Sequence, residues 1–480
     1  MNNQNPQVVV VMVPLPIQGH LNQLLHLSHL ITSYGIPVHY AGSSIHNHQA
    51  KLRLNGWDTQ NLTKINFHDF ELPPYDSPPP NADLLVPFPQ HFQPLLEASM
   101  HLRQPVSNLL QQLSVKYNRV VVIHDILMAY VVQDIKLISN GETYNFIPTS
   151  AFTFFADAWS SIPEKDRPFQ LDSNDILEGI PAIDGCHTQA MTEFALNQVK
   201  LLGFESGWIY NTSRVIDGRY VQLLERLSLT TPHIKYFALG PFHPVVIKSE
   251  SGENKHHCLK WLDVQEKGSV IYVSFGSTTS LTDDQIEELA NGLERCGEKF
   301  IWVLRKEDSN NVFVDADKKK KPQLPEGYDE RVKDRGIVVK DWAPQLEILA
   351  HPSVGGFMSH CGWNSCMESI SMGVPILAWP MHSDQPKNAF LVSNVIRTGV
   401  MSLDPPGTSP GPPLVRDWEH RGEIVKSSTI ENVVKILMAS QEGKKIKNRA
   451  AKLGDDVRRS VAEGGVSGLE RDAFIAHISR

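Results

Sequence analysis

Two separate series of short apolar runs, each followed by a glycine-bearing turn and an amphipathic stretch, constrain this chain more than any other feature. The first run is Val8–Val13, a block of valines with Met12 among them. Such a block fits a strand buried on both faces, as in a parallel sheet. A loop through Pro14, Pro16, Gly19 and His20 follows, and Leu21, Leu24, Leu25, Leu27, Leu30 and Ile31 then recur at helical spacing. Residues 120–123 form a second buried-type run that ends in His124 and Asp125. A polar stretch from Phe242 to His257 reads as a linker. Beyond it the alternation resumes, with strands predicted at 269–275, 300–304, 336–340, 355–359 and 375–379 and a helix at 282–294.

Alternating strands and helices on both sides of a linker predict an α/β protein of two doubly wound, Rossmann-like domains facing across a cleft. The predicted units are 1–242, a linker at 243–258, and a second domain at 259–459. A length of 480 residues accommodates this. Ligands of such sheets sit beyond the carboxyl ends of the strands. His20, Asp125, Ser277, His360 and residues 382–385 all follow predicted strand ends, so a shared site is expected there.

Several function classes drop out. Lys and Arg number 45 against 53 Asp and Glu, a net charge of −8, which disfavours binding nucleic acid through the overall field. The apolar run from Val8 to Ile17 contains two prolines and falls short of the about 20 residues a membrane span needs. It also lacks the basic residues that open a signal peptide. Five cysteines without a C-x-x-C pair argue against a disulfide framework. The chain therefore reads as cytosolic. No G-x-G-x-x-G follows Val8–Val13 and no G-x-x-x-x-G-K-[ST] occurs, so the dinucleotide and ATPase phosphate loops are missing. Asp315 and Asp317 have D-x-D spacing but adjoin Lys318–Lys321, and the segment 306–325 reads as a solvated loop; no metal site is expected. The Pro- and Gly-rich segment 404–415 reads as an irregular loop.

Two constellations remain. His20 stands near the start of a helix, whose positive end disfavours imidazolium and would leave the ring neutral. Asp125 ends a strand of the same sheet and could fix the tautomer of that histidine, making a general base. The second lies in the segment Phe357–Glu368, where Gly362 permits a turn and a helix begins near Asn364. Free N–H groups at such a helix start suit phosphate, with His360 and Ser277 as added donors. Glu368, one turn further, could accept from ribose hydroxyls, and Trp342 offers a flat face for a base. Each of these side chains, taken singly, could equally cap or pack.

The 44 residues from Trp342 to Gln385 carry W-A-P-Q at their start, H-C-G-W-N-S in their middle and D-Q at their end. This resembles the signature box of plant UDP-dependent glycosyltransferases of secondary metabolism. The N-terminal P-x-x-G-H, Asp125 and the closing I-A-H-I-S-R extend the resemblance over the chain. QGHLNQLLHL from Gln18, VIHD ending at Asp125, IYNTSR from Ile209 and MHSDQ from Met381 are similar to the branch that glycosylates zeatin. Segment 404–415 looks like an insertion relative to that branch.

The resemblance implies the glycosyltransferase B fold, with the last helix, in 460–480, packing back on the first domain. It implies that Trp342 stacks on uracil and backbone at Ala343 reads its edge. Gln345 and Glu368 would bind ribose, and His360, Asn364, Ser365 and Ser277 would hold the diphosphate. Trp363, Asp384 and Gln385 would contact the sugar, with Ser150 or Thr149 reaching it from the other domain. His20 would be the base and Asp125 its partner. The implied reaction is inverting, metal-independent transfer of glucose from UDP-glucose, with UDP-xylose a possible donor, by a monomer. The leading acceptor is zeatin; a flavonoid, another phenolic or a terpenoid is the alternative, as is a non-catalytic ligand-binding protein. Leu15, Phe88, Phe92, Met128, Ser150, Phe152, Phe155, Met191 and Phe194 are the acceptor-pocket candidates, each of which could equally be core.

Overall fold

The computed structural model describes residues 7–480 except 55, 57–58, 79–89, 173–174, 176, 183–185, 229–233, 248–254, 280, 306–307, 309–322 and 401–422. The expectations for Phe88, Asp315, Asp317, Lys318–Lys321 and the segment 404–415 lie outside the described residues.

The first sheet contains β1 (Val8–Val13), β2 (Val38–Ser43), β3 (Ile65–Phe70), β4 (Arg119–Asp125), β5 (Gly141–Ile147), β6 (Gly207–Tyr210) and β7 (Lys235–Ala238). Their order is β3-β2-β1-β4-β5-β6-β7, with every pairing parallel. The second contains β8 (Val270–Ser274), β9 (Lys299–Val303), β10 (Gly336–Val339), β11 (Val354–Ser359), β12 (Ile376–Ala378) and β13 (Gly399–Val400), in the order β10-β9-β8-β11-β12-β13, again all parallel. The two doubly wound domains expected from the alternation are present. All six residues of β1 are buried, the physical reason its sequence is apolar without alternation.

Strand order reverses beside β1 in the first sheet and beside β8 in the second, which opens a crevice between β1 and β4 and another between β8 and β11. The helices that matter below are α1 (Gln18–Ser33), α2 (Ala151–Ser161), α3 (Gln189–Val199), α4 (Trp363–Met372), α5 (Gln385–Phe390) and α6 (Val466–Ile478). α1 follows β1, and α4 follows β11, so each helix begins at a crevice.

The terminal helix α6 returns to the first domain. Phe474 and Ile478 enter the core formed by Leu24, Val38 and Tyr144. Phe474 meets Tyr144 edge-on at 5.5 Å and Phe237 at 4.9 Å. Arg471 donates to the backbone oxygens of Leu239 and Pro241, and Glu470 pairs with Arg214 at 2.9 Å. No helix of the described residues is long and apolar enough to cross a membrane.

Phe474→Ala should therefore cost about 3–5 kcal/mol of stability, the range for emptying a buried aromatic site. Leu469→Ala on the same helix removes an exposed side chain and should change stability by about 0.5 kcal/mol at most. Chemical denaturation of both variants measures the difference.

Candidate active site

His20 sits in the first turn of α1, directly after β1, and Asp125 is the last residue of β4. Because β1 and β4 are neighbours, the two side chains meet: His20 Nδ1 lies 2.6 Å from Asp125 Oδ2. The other carboxylate oxygen, Oδ1, accepts from the Leu127 N–H at 3.0 Å, which fixes the carboxylate in place. A carboxylate only accepts, so Nδ1 carries the proton and Nε2 is left as an acceptor facing the cleft. Burial pushes the His20 pKa down, but the charge of Asp125, its hydrogen bond and the charge of Asp384 outweigh burial and leave it raised. The helix end and burial favour the neutral ring, and the neighbouring carboxylates favour its protonation.

In the second domain the chain leaves β11 at Ser359 and turns through His360, Cys361 and Gly362 into α4. Cys361 adopts φ 64°, a conformation disfavoured for a non-glycine residue, which marks the turn as one held by its surroundings. His360 is packed between glycines: a Cβ on Gly276 or on Gly362 would come within 2.5 Å of its Nε2. Burial lowers the His360 pKa to about 4, so the ring is neutral at ordinary pH.

One cavity of about 390 Å³ joins these elements across the two domains. It is lined by His20 from the first domain and by Ser277, Trp342, Ala343, Gln345, His360, Trp363, Asn364, Ser365, Glu368, Asp384 and Gln385 from the second. Asp125 stands behind His20, fully buried. Gln345 donates to Glu368 at 2.8 Å and to Ser365 Oγ at 3.0 Å. Burial pushes the Glu368 carboxyl up to about 7, against that hydrogen bond. The guanidinium carbons of Arg53 and Arg305 stand 5.0 and 5.3 Å from the Trp342 ring centroid, and both arginines pair with Asp308.

Three of these side chains are tied across the cleft. Asn364 donates to the Gly19 oxygen at 2.8 Å, Trp363 Nε1 donates to the Asn211 oxygen at 2.9 Å, and Asp384 accepts from Thr149 at 2.9 Å. The oxygen of Gln385 accepts from the N–H groups of Met381 and His382 at 2.9 and 3.0 Å, and its amide nitrogen stands 3.3 Å from His382 Nδ1. Gln385 thus offers a ligand a donor and no free acceptor.

The acceptor-pocket candidates separate. Leu15 and Met191 line the cavity. Phe92, Met128 and Phe194 instead belong to the first-domain core around Val9, Val11 and Leu110. Phe152 and Phe155 are fully buried; Phe152 stacks on Phe390 at 6.0 Å, and Phe155 on Trp159 at 5.6 Å. Ser150 caps α2, accepting from the Thr153 N–H at 3.0 Å, and donates to Asn388 at 3.0 Å, so Thr149 rather than Ser150 lines the cavity. His382, expected near the site from its place after a strand, also lines it, and residues not anticipated from the sequence include Ile17, Asn22, Ile126, Leu127, Ile147, Phe154, Asp157, His187, Ala195 and Lys387. Phe154 had a signal. A helix buries one face, so Phe152 and Phe155 on the core side turn Phe154 away from it.

Among the described residues one trio of potential metal ligands comes together, His256, His257 and Cys258, with ligand atoms within 4.8 Å. It does not line the cavity. Cys258 is buried, which pushes its thiol up to about 12, and His256 Nδ1 accepts from the Cys258 N–H as a helix cap.

Residues 6–244 match a family profile described as "Glycosyltransferase, N-terminal domain", and residues 248–403 one described as "UDP-glucoronosyl and UDP-glucosyl transferase". The chain is 50% identical over 479 residues to zeatin O-xylosyltransferase of Phaseolus vulgaris, covering 100% of this chain and 99% of that one. It is 49% identical over 475 residues to zeatin O-glucosyltransferase of Phaseolus lunatus, covering 99% and 97%. The crystal structure of a UGT transferase from Siraitia grosvenorii in complex with UDP has a TM-score of 0.73 at 27% identity, covering 99% of this chain and 100% of that one.

The balance at His20 is open to direct measurement. In Asp125→Asn the charge and its attraction for imidazolium go while burial stays, so the His20 pKa should fall relative to the unaltered protein. A titration of the ring nitrogens by NMR reads the shift; an unchanged value would mean that Asp125 does not set it.

Proposed function

This chain belongs to the UDP-glycosyltransferase family, and from that premise we propose that it moves glucose from UDP-glucose to a hydroxyl of a small plant molecule, zeatin before others, giving a β-O-glucoside. The observation that carries the reading is the 2.6 Å pair of His20 and Asp125, opening on the same cavity as the N-terminus of α4. A hydroxyl ionises too weakly to attack unaided at neutral pH. His20 Nε2 takes its proton as the oxygen attacks the anomeric carbon from the face opposite UDP, so configuration inverts. Asp125 holds the tautomer and stabilises the imidazolium that forms.

Negative charge grows on the departing diphosphate. The start of α4, with Asn364, Ser365, Ser277 and His360, lines the cavity and would receive this charge; donors fixed in advance are often the largest catalytic contribution. These groups supply the positive end that a metal ion supplies elsewhere, and we propose metal-independent transfer. Trp342 is the platform for uracil, with backbone at Ala343 at its edge and Gln345 and Glu368 on the ribose. Trp363, Asp384, Gln385 and Thr149 take the sugar. A Gln385 that only donates suits a sugar oxygen as acceptor, and the similarity to both a glucosyl- and a xylosyltransferase leaves UDP-xylose as a second donor. Leu15, Ile126, Phe154 and Met191 form an apolar end that supports a flat acceptor. Five cysteines without a disulfide support a cytosolic setting.

His20→Ala should lower turnover of zeatin by about 10²- to 10⁴-fold with UDP affinity unchanged. Near-normal turnover in the folded variant would remove the mechanism. Isopentenyladenine has the ring and chain of zeatin without the hydroxyl. It should inhibit competitively against zeatin and never accept glucose, as mass spectrometry of the reaction would show. Turnover of a flavonoid or terpenoid alcohol, but of neither zeatin isomer, would move the acceptor and leave the transfer chemistry in place.

A further inference from the structure

Asp157 and Lys387 line the cavity from opposite domains, and neither has a part in the chemistry above. Asp157 lies on α2, three residues beyond Phe154, and so on the same side of that helix. Lys387 lies on α5, just past Asp384 and Gln385. Lys387 Nζ and Asp157 Oδ1 form an ion pair across the cleft.

The pair is unequal in surroundings. Lys387 is 5% exposed, whereas the Asp157 side chain is 42% exposed. Lysine is rarely buried unless its charge is matched. Here, among the described residues, the ammonium pairs with one carboxylate oxygen, and an ammonium has three donors. Asp157 Oδ2 likewise takes no partner among the described residues. The result is a donor and an acceptor side by side, with capacity unused, in the cavity that the apolar Leu15, Ile126, Phe154 and Met191 also line, with His187 near the pair.

We propose that this pair is the specificity-determining edge of the acceptor site and reads the N6–H and N7 side of an aminopurine. The inference rests on the reading that zeatin is the acceptor. Adenine presents an N7 acceptor and an N6–H donor on one edge. Lys387 donates to N7 and Asp157 accepts from N6–H, while the ring lies against Phe154. The purine is thereby oriented so that its side chain, attached at N6, runs towards His20. Because one member of the pair comes from each domain, the acceptor edge is complete only when the two domains are in register.

The test compares zeatin with two analogues, one carrying C–H in place of N7 and one carrying oxygen in place of N6–H, each with saturating UDP-glucose. The unaltered protein should prefer zeatin over either by about 10- to 150-fold in kcat/KM, the worth of a hydrogen bond to a charged group. Lys387→Met should abolish the preference for N7, and Asp157→Asn the preference for N6–H, with the loss falling on the KM of zeatin rather than on kcat. Lys387→Arg should restore part of the N7 preference. Each readout is a ratio of two acceptors in one protein, so a loss of folded material cancels. Should Lys387→Met fail to fold, Asp157→Asn at a half-exposed position carries the test. Equal use of zeatin and both analogues by the unaltered protein, or unchanged ratios in the variants, would overturn the proposal while leaving zeatin as acceptor. No turnover of either zeatin isomer would overturn the acceptor reading and this pairing with it.

Discussion

The whole arrangement depends on an apolar seam that the two domains share. Ile147, Phe152, Phe155 and Tyr210 of the first domain and Trp363, Met367, Phe390 and Val392 of the second belong to one continuous buried cluster. Polar bonds pin the seam where it reaches the cavity. Trp363 donates to the Asn211 oxygen, and Asn388 accepts from both Ser150 and Thr153 at 3.0 Å. A buried partner left unsatisfied costs about 1–3 kcal/mol, so each bond resists sliding of one domain on the other. The proposed transfer needs His20 on one sheet and the start of α4 on the other to be held at a fixed separation. The seam supplies that constraint within the protein itself.

The cost of building such a cleft is visible in the backbone. Cys361 and Ser383 are non-glycine residues with φ 64° and 61°, and each lies where the chain leaves a strand of the second sheet for a helix lining the cavity. Residues held in this region cost of order 1–3 kcal/mol and persist when their surroundings dictate them. Cys361 is fully buried between the His360 turn and α4, and Ser383 donates its N–H to the Cys186 oxygen of the first domain at 3.2 Å. The strain is thus set by packing that also points His360, Asn364 and Asp384 inward.

The strands of the second domain were legible because their middles are buried on both faces and therefore largely apolar, as in β8, β9 and β11. β3 escaped because it is an edge strand, INFHDF, half exposed and interrupted by Asn66, His68 and Asp69. β13 is two residues long and has no pattern to read. At the site, residues close to strand ends were legible, since topology alone brings them to the cleft. Side chains on helices that cross the seam were less so: the spacing sets Phe154 on another side of α2 from Phe152 and Phe155, but not which side meets the cavity. Phe152, Phe154 and Phe155 differ in sequence by position only, and which of them faces the cavity depends on how α2 rotates against Phe390 and Tyr220. Asp157 and Lys387 are 230 residues apart. No local pattern links them, because each lies on an otherwise ordinary helix and gains its meaning only from the partner.

Charge sets the histidines of the cavity apart. At the His20 end the acidic groups Asp125 and Asp384 favour imidazolium, which is what a base needs at the moment it receives a proton. At the α4 end the histidines are kept neutral: burial holds His360 at about 4 and His382 at about 3. A protonated histidine there would bind a diphosphate more tightly before reaction as well as after, and tight binding of the starting state does not speed transfer. Oriented N–H dipoles at a helix start strengthen their hold as charge accumulates on the leaving oxygen, without a charge that must first be stripped of water. With His360 and His382 uncharged, the proposed stabilisation of the leaving group rests on neutral donors, the backbone of α4 among them. On the proposed mechanism the proton goes instead to His20, whose Nδ1 is held at 2.6 Å by the Asp125 carboxylate.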